Sequence, residues 1–348
     1  MKLFDKIFNT NTVSPQPEIT KITRTEIIEG FSLPGIIHNI QYHFTGLQVY
    51  SDGLISCWEM VDLTMLKEKI ERGWLVTSIP EGEAISIHNL GHWYIKHGEW
   101  EHSKESLYNL IHTLVKQLNP TLENLHNYNG NNSKKIGKAN IAKHFIPNPK
   151  PYYYEDPNSF VPRKISGEKF HFFFRNDDEK TYLAELSIYK NGHVEITNLP
   201  VKKTLKFEEL NDHINRGIIT TKLKTGETVT ILNLGSFKVK SGNGVDIKHK
   251  MNELADKLSE LNGRENSIAK CARIFAEYKA APSVKLRYML RDAYESVPEH
   301  QRIFVGTMDT KDYEVRQVIY GNKVKKEFEA ENGYDYPYDD MPQPIDEE

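Results

Sequence analysis

"IERGWLVTSIPEGEAISIHNLG", residues 70–91, returns as "INRGIITTKLKTGETVTILNLG", residues 214–235. At a constant offset of 144, Ile70 pairs with Ile214, Arg72 with Arg216, Gly73 with Gly217, Thr77 with Thr221, Gly82 with Gly226 and Glu83 with Glu227. Asn89-Leu90-Gly91 falls on Asn233-Leu234-Gly235, and the register continues through Leu107 with Met251 and Leu114 with Leu258. Upstream, "LQVYSDGLI" (47–55) answers "LSIYKNGHV" (186–194) at an offset of 139, so the second copy carries a five-residue insertion between the two blocks. Insertions of that kind belong in surface loops. The chain is thus a tandem duplication.

Each copy reads as the same small α+β module. An alternating apolar run leads into Ser-Asp-Gly or Lys-Asn-Gly and a second run, the pattern of a hairpin closed by a tight turn. An amphipathic segment follows, with Leu63, Leu66 and Ile70 on one helical face, and Phe207, Leu210 and Ile214 on the other copy's. Gly73 or Gly217 supplies the left-handed residue that ends it. Two further strands are expected to meet at Pro80-Glu81-Gly82 or Lys224-Thr225-Gly226, with Ile85 and Ile87 facing opposite to Ser86 and His88. A second helix closes the unit, with Ser103 and Asp246 as candidate N-caps and Glu105 placing negative charge in the first turn. The predicted architecture is an antiparallel sheet with helices packed on one face, written twice. The shared phrase reads as scaffold, the alternative for Asn-Leu-Gly being a ligand-binding turn.

The chain divides into a leader (1–33), module one (34–128), a basic, Pro- and Tyr-rich linker (129–162), module two (163–263), a mainly helical carboxy-terminal region (264–326) and an acidic tail (327–348). Two helices separated at Pro282 are expected after residue 264, with Cys271 a core thiol, then an extended run through IFVGTM and a helix through YEVRQVIYGNKVKKEFE. The tail holds nine acids and no Lys or Arg against an overall net charge of −3, so the rest of the chain is net basic. Such a tail is expected to be solvated and disordered.

Several function classes fall away on composition. Hydrophobic residues make up 38% and charged residues 27%, and no apolar run reaches the roughly 18 residues of a membrane span. The opening MKLFDKIFNTNTV lacks the apolar core of a secretory signal, and two cysteines 214 positions apart make neither a disulfide framework nor a cysteine-based zinc site, so a cytoplasmic, bacterial protein is expected. No phosphate loop, nucleophile elbow, His-Glu-x-x-His helix or dinucleotide fingerprint occurs, and no cofactor is expected.

If the fold needs only what both copies keep, residues peculiar to one copy are free to serve function. All four tryptophans, Trp58, Trp74, Trp93 and Trp100, lie in module one, with His88 and His92 beside them. Tryptophan suits binding surfaces because its ring gives area and its N–H direction, although filling a core is the plainer use. A zinc site on these histidines is set aside, because strand and turn context gives His88 and His92 no common direction. The tail residues Tyr336, Tyr338, Asp339 and Asp340 offer contact area and acidic steering toward a basic protein partner.

A rival chemistry sits in PEHQRIFVGTMDTKDYEVRQ. Asp309, Lys311 and Asp312 after a short apolar strand, with Glu299 and His300 before it, fit the outline of a metal-dependent nuclease, and the linker lysines would grip nucleic acid. The duller account makes Asp309 a turn residue and Asp312 a helix cap. The leading expectation is a non-catalytic protein-interaction module, of inhibitor or immunity type; the alternative is a metal-dependent enzyme acting on nucleic acid.

Overall fold

The structure is a computed structural model that describes residues 21–28, 30–123, 125–129, 133–136, 139–147, 150–306, 311–333 and 335. Strand β1 (Lys21–Ile28) precedes the first copy, which runs β2 (Gly30–Asn39), β3 (Gln41–Tyr50), β4 (Ile55–Cys57), β5 (Glu59–Val61), α1 (Leu63–Glu71), β6 (Leu75–Val76), β7 (Ala84–Ile87), β8 (Gly91–Trp100) and α2 (Lys104–Leu118). The stretch expected to be an irregular linker instead forms β9 (Ser133–Ile136), β10 (Ala139–Pro147) and β11 (Tyr152–Glu155).

The second copy repeats the order: β12 (Arg163–Arg175), β13 (Thr181–Tyr189), β14 (His193–Thr197), β15 (Lys203–Lys206), a 3-10 turn into α3 (Leu210–Asn215), β16 (Ile219–Thr220), β17 (Thr228–Ile231), β18 (Gly235–Gly244) and α4 (Ile247–Leu261). Helices α5 (Ser267–Ala280), α6 (Val284–Ser296), α7 (Tyr313–Tyr320) and α8 (Asn322–Asn332) complete the chain. The α+β duplication therefore stands, with more strands per copy than the sequence pattern announced.

Contacts divide the chain into two units. The first comprises Met1–Leu33, Leu47–Arg72 and Glu105–Pro149. In it β1 pairs parallel to β10, β9 pairs antiparallel to β10, and β4 pairs with the end of β3 and with β5. Helix α1 starts where Asp62 accepts hydrogen bonds from the backbone N–H of Thr64 (3.0 Å) and Met65 (2.8 Å). That cap satisfies two of the donors a helix start leaves open.

The second unit comprises Pro34–Gly46, Gly73–Lys104 and Lys150–Glu348. Its strands follow the order β11-β12-β13-β17-β18-β8-β7-β3-β2-β6, with β14 beside β13, β15 beside β14 and β16 beside β12. The expected all-antiparallel sheet is corrected in one respect: β3 pairs parallel to β7, and β13 parallel to β17. In each copy a helix and short strands separate the two partners in sequence, which is the crossover that parallel pairing requires.

The two copies meet through β8 and β18. Gly91 pairs with Gly244 and Gly235 with Trp100, two pairings that the offset of 144 exchanges, so the antiparallel junction is a pseudo-twofold one. One core straddles it. Ile36, Phe44, Ile85, Ile87, Leu90, Trp93 and Ile95 gather in the same buried cluster as their counterparts Phe173, Leu183, Val229, Ile231, Leu234, Phe237 and Val239. A separate cluster in copy two packs Phe170, Phe172 and Phe174 against Leu210 of α3 and Leu254 of α4.

The Asn-Leu-Gly phrase lies at this junction. Strands β7 and β8 close over His88-Asn89-Leu90, and not at Pro80-Gly82 as expected; Asn89 has φ 54° and Asn233 φ 62°, the left-handed region that Asn tolerates. Gly91 and Gly235 sit at φ 143° and 141°, and a Cβ on either would lie 2.2 Å from a backbone oxygen of the opposing strand, Asn243 O or Glu99 O. Only glycine lets the two strands approach there.

The carboxy-terminal helices form their own core of Cys271, Phe275, Tyr278, Leu290, Val315 and Val318, with α5 and α6 separated around Pro282 as expected. Ile303 and Phe304, where the IFVGTM run is expected to be extended, fall in a 3-10 segment (Glu299–Phe304), while Thr307 and Met308 lie outside the described residues; the single helix expected after Asp312 breaks at Gly321 into α7 and α8. Among the described residues no helix is long and apolar enough to cross a membrane.

Candidate functional site

A cavity of about 210 Å³ opens in the second unit. The Asn89 turn of copy one forms one wall, the start of α4 in copy two another, and Glu299 and His300 of the 3-10 segment a third. Asp246 caps α4 through the N–H of Lys248 (2.8 Å), as its position suggested. The next turn of α4 carries Lys250 and Glu253, exposed by only 2% and 6%.

Lys250 Nζ donates to Glu253 Oε2 at 2.8 Å, and Asn89 Nδ2 donates to Glu253 Oε1 at 3.2 Å. The ammonium also lies 5.2 Å and 5.8 Å from the ring centres of Phe170 and Phe172. Burial lowers the Lys250 pKa from its ordinary value, and Glu253 works in the opposite direction. At the cavity mouth His249 Nδ1 stands 3.4 Å from Glu299 Oε2. At the corresponding places copy one has Ser106 and Asn109, so the fold of a module does not call for this ion pair.

The pair carried no signal in the sequence beyond that difference between copies. A Lys and a Glu three apart on a helix ordinarily form a solvated pair. The larger hollow beside Arg175, about 770 Å³, is an open groove in which Arg175 Nε is bonded to Glu227 at 2.9 Å and its Nη1 to the Gly217 carbonyl at 3.2 Å. Those bonds tie strand β12 to the helix-ending glycine, a structural duty.

The tryptophan and histidine set does not form one surface. Trp93 is a core residue, 1% exposed, with its ring edge-on to Phe173 at 4.9 Å. Trp74 and Trp100 are half-buried, Trp100 against the shared core, while His88 and His92 are exposed. Trp58, in the first unit, is different: it is 53% exposed at φ 68°, and it is the single residue that joins β4 to β5. Residue pairing places the five-residue insertion of copy two at this point, where residues 198–202 join β14 to β15 and begin with Asn198 at φ 59°.

Of the nuclease outline, Glu299 and His300 reach the cavity rim, but Asp312 accepts a hydrogen bond from the Tyr294 hydroxyl of α6 and makes no side-chain cap bond. Lys311 is exposed at φ 49°. Asp309, Tyr336, Tyr338, Asp339 and Asp340 lie outside the described residues. Among the described residues no three His, Cys, Asp or Glu side chains gather as a metal-binding group. Cys271 is fully buried, and burial pushes its thiol up to about 12, which suits a core residue.

Residues 18–122 and again 156–265 match the family described as a domain of unknown function, DUF7638, and residues 266–334 match a second, DUF7639. The chain belongs to the DUF7638 family, whose double match coincides with the two copies. No curated protein and no solved structure matches it.

Proposed function

We propose that the chain works by binding another protein, without catalysing a reaction on it, and that Trp58 is its principal contact residue. The observation that carries this is the conformation of Trp58. A bulky side chain at positive φ is a true outlier, costing on the order of 1–3 kcal/mol, and such strain persists where function holds it. Asn198, at the start of the corresponding turn, adopts the same backbone comfortably. Copy one thus accepts strain to display a half-exposed indole, the side chain that most often dominates a protein interface.

A basic partner fits the acids from Glu327 to Glu348, which would steer a cationic surface toward the chain, as an inhibitor or immunity-type protein requires. A cytoplasmic setting belongs to the same proposal, supported by two free, buried cysteines. The test is capture from the native cell by wild type and by Trp58→Asn, which places at 58 the residue type that holds positive φ in the corresponding turn of copy two. The variant folds with stability unchanged or raised by up to about 1 kcal/mol and loses a partner that wild type recovers stoichiometrically. Equal recovery by both proteins contradicts the proposal.

A further inference from the structure

We infer that the cavity beside Asn89 takes a small, uncharged carbonyl compound, an aldehyde or ketone, and that Lys250 holds it as an imine.

Four observations converge on Lys250. It lines a cavity of about 210 Å³, the room of about seven waters, below the roughly 300 Å³ at which drug-sized ligand sites begin, so a compound of a few carbons is the right scale. Its amine is withdrawn from solvent against two phenyl rings, and a hydrophobic setting favours the neutral, nucleophilic form of a lysine. Glu253 is in place to receive the proton, with its second oxygen held by Asn89. Finally, a buried ion pair stabilises a fold no better than apolar residues of the same volume, and copy one folds with Ser106 and Asn109 instead.

The chemistry balances on these groups. Lys250 passes one proton from its ammonium to Glu253 Oε2, and the neutral nitrogen attacks the carbonyl carbon. A C–N bond forms while the C=O π pair moves to oxygen, and a proton shifts from nitrogen to that oxygen to give the carbinolamine. Glu253 then returns its proton to the hydroxyl, which leaves as water as the nitrogen lone pair forms the C=N bond. One ammonium has become one iminium, so the positive charge facing Glu253 is retained and the pair stays satisfied. Asp246, Glu253 and Glu299 against the single Lys250 make the lining acidic, which disfavours carbonyl compounds that carry a carboxylate or phosphate.

The test treats the full chain with propanal and cyanoborohydride, which reduces an imine to a stable secondary amine, and maps the alkylated lysines by peptide mass. Lys250 is expected to be modified at least about tenfold ahead of the exposed Lys202 and Lys203, and the preference to vanish in the urea-unfolded chain. Glyoxylate in place of propanal should label Lys250 more slowly, and Glu253→Gln should lose the preference. Labelling that ignores Lys250, or that favours it equally when unfolded, overturns the inference. Faster labelling by glyoxylate overturns the ligand class. The folded-against-unfolded comparison uses wild-type protein alone, so it stands even if the variant does not fold.

Discussion

His171, on β12, shows what burial and neighbouring charge do to one ring. Phe44 meets it edge-on at 5.1 Å, and burial, reinforced by Lys250, Lys169 and His88, pushes its pKa down to about 4. The unfolded chain, at about 6.5, takes up the proton first as pH falls. Stability from this residue is therefore complete above about pH 6.5 and is lost progressively toward pH 4, by about 3 kcal/mol at most. In urea unfolding at pH 7 and pH 4.5, His171→Phe should show a smaller loss between the two than wild type; an equal loss would mean the ring titrates normally. Other residues were readable only in hindsight. Gly30 and Gly167 lie 137 apart, and a Cβ on either would meet Val49 O at 2.2 Å or Ile188 O at 2.5 Å, yet a lone glycine before an apolar run announces nothing until its strand partner is known.

Within α4, Lys250 and Glu253 are coupled, and each alone is a liability. Glu253→Ala leaves a buried ammonium unpaired and should cost about 3–5 kcal/mol, whereas the double change Lys250→Ser with Glu253→Asn, which copies the first repeat, should cost less than the single one. Additive losses in urea unfolding would show that the two groups do not depend on each other. Helices were legible at this scale because periodicity, caps and terminal glycines agree: Asp246 caps α4, and Pro282 parts α5 from α6. Strands formed by long-range pairing were not. β9, β10 and β11 arise in a stretch rich in Asn, Lys and Pro, where the partner strand and not the local pattern fixes the conformation. The reverse error befell the start of IFVGTM, whose apolar run suggests a strand although Ile303 and Phe304 follow a 3-10 course from Glu299.

Taken whole, the chain is a module and its copy joined by a strand from each. The turn and glycine kept in both copies, Asn89-Leu90-Gly91 and Asn233-Leu234-Gly235, lie at this junction, while Trp58 and the Lys250–Glu253 pair, which differ between the copies, carry the proposed binding. The duplication was legible because identical residues hold one register, but the junction was not: two copies of a phrase do not say which strands meet. The cavity was hidden for the same reason, since Asn89, Glu253 and His300 are brought together only once the copies join.

The most direct test of this account is the thermal unfolding of Gly91→Ala and Gly235→Ala side by side. Each puts a methyl group 2.2 Å from the opposing strand's backbone at a φ that alanine rarely adopts, and the pseudo-twofold makes the two sites equivalent. Both variants should be destabilised by at least about 2 kcal/mol and to a similar degree. Alanine tolerated at both positions would contradict the β8–β18 junction through which the two copies meet.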